Sequence, residues 1–321
     1  VRERTAVSSA AAPGEFIVGV NLPWIAYGGD FGANAWHPEG GVGSAAGRPT
    51  ADDALRALAG AGVRWVRWFL ICDGRAGLVE DSCGRVVGLD GFVLRDVEVA
   101  VELATRHGLK VLFVLLDFKW FEPRSVENGV QLGGRNWAMR TPWRRSLFLD
   151  AAVTPILERV GKAEAVWGWD VINEPEWIML SGRRLLGLPT WGLRGLARGV
   201  AERVAGLCRN QVVTVGLASL AGLDLVRGLG LDLYQWHWYD TVDSRGPLDT
   251  PVEGLDLDAP AILGEYPTHG SSRSPGVIVA TARRAGYRGA LAWAARLDDE
   301  SSEARVAMAA GSQATGLVRR A

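Results

Sequence analysis

Two glutamates stand where apolar runs end. Glu174 follows the run in "VWGWDVINEPEW", residues 166–177, and Glu265 lies in "PAILGEY", residues 260–266. Paired carboxylates are the machinery of glycoside hydrolysis. One is protonated and donates to the leaving oxygen. The other is ionised and attacks the anomeric carbon or activates a water. A separation of about 5–5.5 Å gives retention, and about 6.5–9.5 Å gives inversion. For one pair to do both jobs, their surroundings must push their pKa values apart. Arg67 in "VRWVRWFL" is expected near Glu265, holding it ionised, and the Tyr239 hydroxyl is expected to orient it. Other chemistry-bearing side chains also sit at the ends of apolar runs. They are Asp117, Lys119 and Trp120 after "LKVLFVLL", Asn173 before Glu174, His237, Trp238 and Tyr239, and Trp293.

These ends share one face only if the chain folds in a particular way. Short apolar runs alternate with helical-period segments along the sequence, which points to βα units and a parallel sheet. The strands are expected at 16–22, 63–70, 109–116, 165–173, 211–218, 231–239, 260–266 and 290–296. Helices are expected at 51–60 capped by Thr50, at 91–107 capped by Asp90, and at 142–160, where Pro142 suits the first helical position. The rest are expected at 190–208, 219–228, 274–286 and 301–318, with 241–259 mostly loop. Eight such strands predict an α/β fold, a single (β/α)8 barrel over 16–321, after a disordered lead-in over 1–15. A barrel of this kind carries its site at the C-terminal strand ends. A doubly wound open sheet is the alternative. "NLPWIAYGGDFG" after the first strand lacks the G-x-G-x-x-G spacing of a dinucleotide fold.

Asn173-Glu174-Pro175 at the end of strand four, with "ILGEY" on strand seven, resembles the retaining glycoside hydrolases of clan A. His237-x-Tyr239, Arg67 and Trp293 make the resemblance closest to glycoside hydrolase family five, the cellulase and mannanase family. It spans roughly residues 16–300 and rests on about seven positions. It implies Glu174 as acid/base and Glu265 as nucleophile. It also implies Asn173 at the sugar 2-hydroxyl, His237 near the acid/base, Tyr239 against the nucleophile and Trp293 under the reacting sugar. The family commonly has a histidine soon after the aspartate that ends strand three. Here Lys119 stands in its place, a fixed charge instead of a titrating ring, which bears on substrate choice.

Each residue also has a structural reading. The glutamates could be in surface ion pairs, Arg67 could partner a core acid, and His237 could be a satisfied core histidine. Asp117 could tether Lys119 or Arg67. Trp65, Trp167 and Trp169 alternate within strands and read as core. Trp24, Trp120, Trp137, Trp177 and Trp238 lie at or after strand ends, where stacking on sugar competes with packing. Tyr27, Asp30 and Trp36 in the long loop 23–49 could wall one end of a cleft. The loop 117–141 is also long, and long loops on this face tend to be functional.

The bulk numbers are compatible with this reading. The 321 residues are 48% hydrophobic, enough for a large core, and 35 basic residues nearly cancel 36 acidic ones. That balance gives no reason to expect a nucleic-acid or polybasic membrane partner. No run reaches the ~18–20 apolar residues of a membrane helix. The 14 Trp outnumber the 8 Phe and 5 Tyr, a bias that suits sugar stacking as well as packing. Cys72 and Cys83 bracket "CDGRAGLVEDSC" and could bridge it or stay two thiols. No metal or organic cofactor is implied. The expected partner is carbohydrate and the expected state a monomer, with an extracellular setting slightly favoured over a cytoplasmic one. Two other functions compete: a Schiff-base lyase using Lys119, and a sugar-binding barrel without catalysis.

Overall fold

The computed structural model describes residues 15–136, 139–179 and 187–312. Eight parallel strands close into one barrel in chain order. They are β1 (Ile17–Leu22), β2 (Trp65–Cys72), β3 (Lys110–Asp117), β4 (Val166–Asn173), β5 (Val212–Leu217), β6 (Tyr234–His237), β7 (Ala261–Pro267) and β8 (Gly289–Trp293). Closure runs through β1, which pairs β8 at Ile17 and Gly289 and β2 at Gly19 and Trp65. All eight expected strands are present. The lead-in expected over 1–15 lies almost wholly outside the described residues, as do Trp137 and the end of the segment 301–318.

The helices differ more from expectation. α1 (Gly47–Gly60) and α2 (Val93–Arg106) follow β1 and β2. Thr50 lies inside α1 rather than capping it, and Ser44 takes the free amide instead, its Oγ accepting from Gly47 N at 2.9 Å. Asp90 does serve α2, accepting from Phe92 N and Val93 N. The expected helix 142–160 is α3 (Pro142–Phe148) joined by a π-helical turn to α4 (Thr154–Val160). α5 (Thr190–Leu207), α6 (Pro275–Arg284) and α7 (Ala304–Ala310) complete the set. The helix expected at 219–228 is only a 3-10 turn, Leu220–Leu225. Gly228 and Gly230 both turn the chain at φ +70°, and Gly222 lies so close to Glu176 that a Cβ there would meet Oε1 at 2.1 Å. Among the described residues no helix is long and apolar enough to cross a membrane.

Strand alternation fills the barrel in layers. Ile17, Trp65, Leu112, Trp167, Val212, Leu233, Ile262 and Leu291 form one apolar plug, drawn from seven of the strands and from the residue just before β6. Trp65 and Trp167 meet edge to face in it, ring centres 4.9 Å apart. Trp169 faces outward, stacks on Phe113 under the helices and donates to Gln211. All three tryptophans are core, as expected. Above the plug the interior turns polar, which sets the floor of the site. Cys72 and Cys83 are free thiols, so the bridge between them is not formed.

The long loop after β1 is pinned from below. Asp96 on α2 accepts the amides of Gly32, Gly41 and Gly43 at 2.7, 3.0 and 2.7 Å. Asp30 accepts those of Ile25 and Ala26 and the Trp68 indole N–H. Asp30 is thus a buried anchor of the loop and not a cleft wall. These bonds meet the demand of a loop whose amides would otherwise be buried without partners.

Candidate active site

Arg67 holds the floor of the site. It is fully buried on β2, with four acceptors around one guanidinium. Nε donates to Asp170 at 2.9 Å and Nη1 to Asn21 at 2.9 Å and Glu265 at 2.6 Å, while Nη2 reaches Asn173 Oδ1 at 2.7 Å. Burial opposes its charge, but Asp170 and Glu265 outweigh burial and raise its pKa. Asp170 is satisfied from two more sides, by Gly216 N and Gln235 Nε2. Asn173 is fixed in orientation: its Oδ1 faces Arg67 and its Nδ2 donates to Asp117 at 2.9 Å. The amide keeps a second N–H for a ligand. Asp117 also accepts the Lys119 amide, and burial pushes its carboxyl up to about 6.

Glu174 lies just past β4, at φ +48°, the left-handed region that non-glycine residues rarely adopt. Its amide donates to Gly216 O at 2.6 Å, and Pro175 then opens a 3-10 turn. That backbone turn lifts the carboxyl over the barrel mouth. Oε2 accepts from the Trp177 indole and Oε1 faces His237 Nδ1, at 2.7 and 2.8 Å. Glu265 on β7 faces it. One oxygen of each glutamate and a ring nitrogen of His237 all lie within 4.8 Å of one another. An approach of the nearest oxygens this close is compatible with the shorter of the two carboxylate separations.

The two carboxyls have different neighbours. Burial raises both. At Glu265 the opposing pull comes from the His237 ring, from Arg67 in direct contact and from the Tyr239 hydroxyl donating at 2.9 Å. Arg67 was expected to hold Glu265 ionised. The guanidinium does favour the charged form, but it acts against burial rather than on a free carboxyl. Glu174 has a neutral indole as its donor, and Arg67 acts on it only at a distance. Only Glu265 has an arginine in direct contact, an asymmetry that a division of labour between the two carboxyls can use.

His237 is buried and its pKa falls to about 4, chiefly through burial. The ring is therefore neutral, and a proton on Nδ1 suits the oxygens of Glu174 at 2.8 Å and Glu265 at 3.4 Å. In an NMR titration its ring signals should remain those of neutral imidazole from about pH 8 to about pH 5. A midpoint near the ordinary 6.5 would contradict this placement.

A cleft of about 800 Å³ opens above the pair, lined by Trp24, Asp117, Lys119, Asn173, Trp177 and Trp293 together with both glutamates and Tyr239. Four expected ligand-binding residues fall elsewhere. Arg67 and His237 are absent from the cleft lining and lie beneath it, in contact with the carboxylates and, for Arg67, with Asn173. Trp120 and Trp238 are buried in packing, with indole N–H groups on Arg135 O and Asp243 Oδ1. Trp120 follows its strand end into a 3-10 turn, Phe118–Phe121, whereas Trp238 directly follows β6, its amide donating to Glu265 O. Trp36 likewise does not line the cleft. Asp170, Gln235 and Asn21 were not anticipated, although each is a polar residue inside a strand with both faces covered. Glu176 was also missed. It is pushed up to about 7 by burial, accepts weakly from Ser219 N at 3.4 Å, and has one buried oxygen with no partner among the described residues.

No family model matches the chain. A mannan endo-1,4-beta-mannosidase of Mytilus edulis is 25% identical over 319 residues, covering 87% of this chain and 83% of that protein. The endo-1,4-beta-mannanase structure from Eisenia fetida superposes with a TM-score of 0.75 at 22% identity, over 92% of this chain and 90% of the other. The Mytilus edulis beta-mannanase structure gives 0.74 at 21% identity, over 92% and 91%. Over the length of its barrel and at its strand ends, the chain resembles the retaining glycoside hydrolases of clan A, and among them glycoside hydrolase family five.

Proposed function

We propose that the protein is a retaining glycoside hydrolase that cuts β-1,4 bonds within mannan-type polysaccharides, the activity named for its Mytilus edulis relative. The observation that carries the reading is a pair of glutamates with one oxygen of each within 4.8 Å of the other at the mouth of a barrel. Glu265 attacks the anomeric carbon while Glu174 gives its proton to the departing oxygen. A glycosyl–Glu265 ester results. Glu174, now ionised, takes a proton from water, which attacks the same carbon from the face the leaving group left. Two inversions give net retention. Asn173 offers its remaining amide N–H to the 2-hydroxyl, and Trp293 lies under the reacting sugar. Trp293 packs on Phe69 and Cys72, which fixes the ring. Lys119 supplies a donor at the cleft wall.

The Schiff-base alternative needs Lys119 at the centre of the chemistry, but the lysine lies on the wall beside Asp117. The paired carboxylates occupy the centre. A panel of β-linked manno-, gluco-, galacto- and chito-polymers tests the proposal. The expected result is cleavage of the manno-polymer to oligosaccharides, with the β-anomer formed first by NMR. Initial formation of the α-anomer, or preference for another polymer, would overturn it.

A further inference from the structure

Glu174 keeps an unfavourable backbone. At φ +48° it lies in the left-handed region, where a non-glycine residue stays only if its surroundings over-determine it. Two backbone bonds help: the Glu174 amide meets Gly216 O at 2.6 Å, and Trp177 N meets Glu174 O at 3.2 Å. Further on, Ile178 is buried and its carbonyl accepts from Leu188 N at 2.7 Å. Between these points lies Glu176, in the 3-10 turn Pro175–Ile178.

The Glu176 side chain crosses to the segment that follows β5. The amides of Ala218 and Ser219, with its own, favour its charged form, and the Ser219 N–H reaches Oε1 at 3.4 Å. Ser219 O in turn accepts from Gly222 N at 3.0 Å, and a Cβ at Gly222 would meet Oε1 at 2.1 Å. The carboxyl is thus seated in the bend 219–222. Its Oε2 is buried with no hydrogen-bond partner among the described residues. A group of this kind lowers stability, and an apolar side chain would fill the seat without that loss. What a carboxyl supplies and an apolar chain does not is an acceptor for the amides after β5. That acceptor joins two walls of the site, since Trp177 and Ala218 both line the cleft. It also lies one residue from the indole that donates to Glu174 Oε2 at 2.7 Å.

We propose that Glu176 is a positioning residue for the acid/base: it clasps the turn 174–177 to the segment after β5 and so holds the Glu174 carboxyl where it gives up its proton. This rests on the glycosidase reading and deepens it. Glu176 itself touches no substrate in this role. The step it serves is proton donation to the leaving oxygen, so its loss is felt in proportion to how much the leaving group needs that proton.

The test compares mannan with a dinitrophenyl β-mannobioside, whose phenolate departs without a proton. In Glu176→Ala, kcat/KM should fall about tenfold on mannan and stay within about twofold on the aryl glycoside. Glu176→Gln keeps an acceptor of the same reach and should stay within about threefold of wild type on both. Gly222→Ala leaves Glu176 in place but drives its carboxyl off the Ser219 amide, so it should reproduce the selective loss. Combined with Glu176→Ala it should add nothing, because the new methyl enters the vacated seat. Equal losses on the two substrates, no loss on mannan, a Glu176→Gln as poor as Glu176→Ala, or additive losses in the double variant would each overturn the clasp. The Trp177 indole N–H signal, assigned with Trp177→Phe, separates this proposal from the glycosidase reading. It should move in Glu176→Ala and Gly222→Ala and stay in Glu176→Gln. If wild type cleaves neither substrate but the signal behaves in this way, the clasp stands and the glycosidase reading falls. A signal unmoved in Glu176→Ala would overturn the clasp whatever the activity.

Discussion

Glu265→Gln should lower kcat/KM on mannan by about three orders of magnitude or more, and Glu174→Gln by a similar factor, with folding unchanged in both. The two losses have different causes, and an activated aryl glycoside should separate them. A phenol of low pKa departs without a proton, so Glu174→Gln should still form the glycosyl–enzyme quickly. Its hydrolysis then lacks a base. The result is a burst of phenolate followed by a slow steady state, with a covalent sugar adduct visible by mass spectrometry. Glu265→Gln lacks the nucleophile and should show neither burst nor adduct. Azide sharpens the contrast. A small anion can replace water as the second nucleophile in Glu174→Ala and yield a β-glycosyl azide. In Glu265→Ala it attacks directly from the other face and yields the α-azide. A burst from Glu265→Gln would reverse the assignment. The direction rests on Arg67 and Tyr239, which bond Glu265 directly, whereas Arg67 reaches Glu174 only at a distance and its direct partners are the Trp177 indole and the neutral His237 ring.

The strands were legible because each is a β-rich apolar run ending in polar residues, and that period survives any change in packing. The segment after β5 was not. Helical spacing in 219–228 is real, but Gly222 must admit Glu176 and the chain must turn at Gly228, so tertiary contacts leave only a 3-10 turn. The carboxylate pair could be read from strand ends alone. The depth of a side chain could not. Arg67 and His237 read as ligand contacts because their types suit sugars, yet the alternation that turns them inward also sinks them below the mouth. Trp120 and Trp238 show the same limit: a 3-10 turn past the strand at one, and a single residue's step past the strand at the other, decide between stacking and packing. Asp170 was legible in principle. A charge inside "VWGWDVIN", a strand covered on both faces, demands a buried counter-charge, and Arg67 on β2 supplies it at 2.9 Å.

That pairing makes Arg67→Met the most destabilising single change expected at the site. Removing one partner of a buried network leaves the others charged and unpaired, at about 3–5 kcal/mol. Here the stranded groups are Asp170 and Glu265, both almost free of solvent. Urea unfolding should show a matching fall in midpoint. Arg67→Lys should recover little, because an ammonium cannot serve Asn21, Asp170, Asn173 and Glu265 from one fork. The pH dependence carries a further sign. Burial already makes Glu265 take up its proton at higher pH in the folded chain than in the unfolded one. Without Arg67 that difference widens, so the folded variant gains relative to the unfolded as pH falls through the folded pKa. The stability deficit should therefore be greatest at neutral pH and shrink on acidification. Activity should move the opposite way. The nucleophile must be ionised, so the acid limb of any residual kcat/KM profile should shift to higher pH. A pH-independent deficit would mean that Arg67 acts through packing alone. An unshifted acid limb would mean that its charge does not reach the nucleophile.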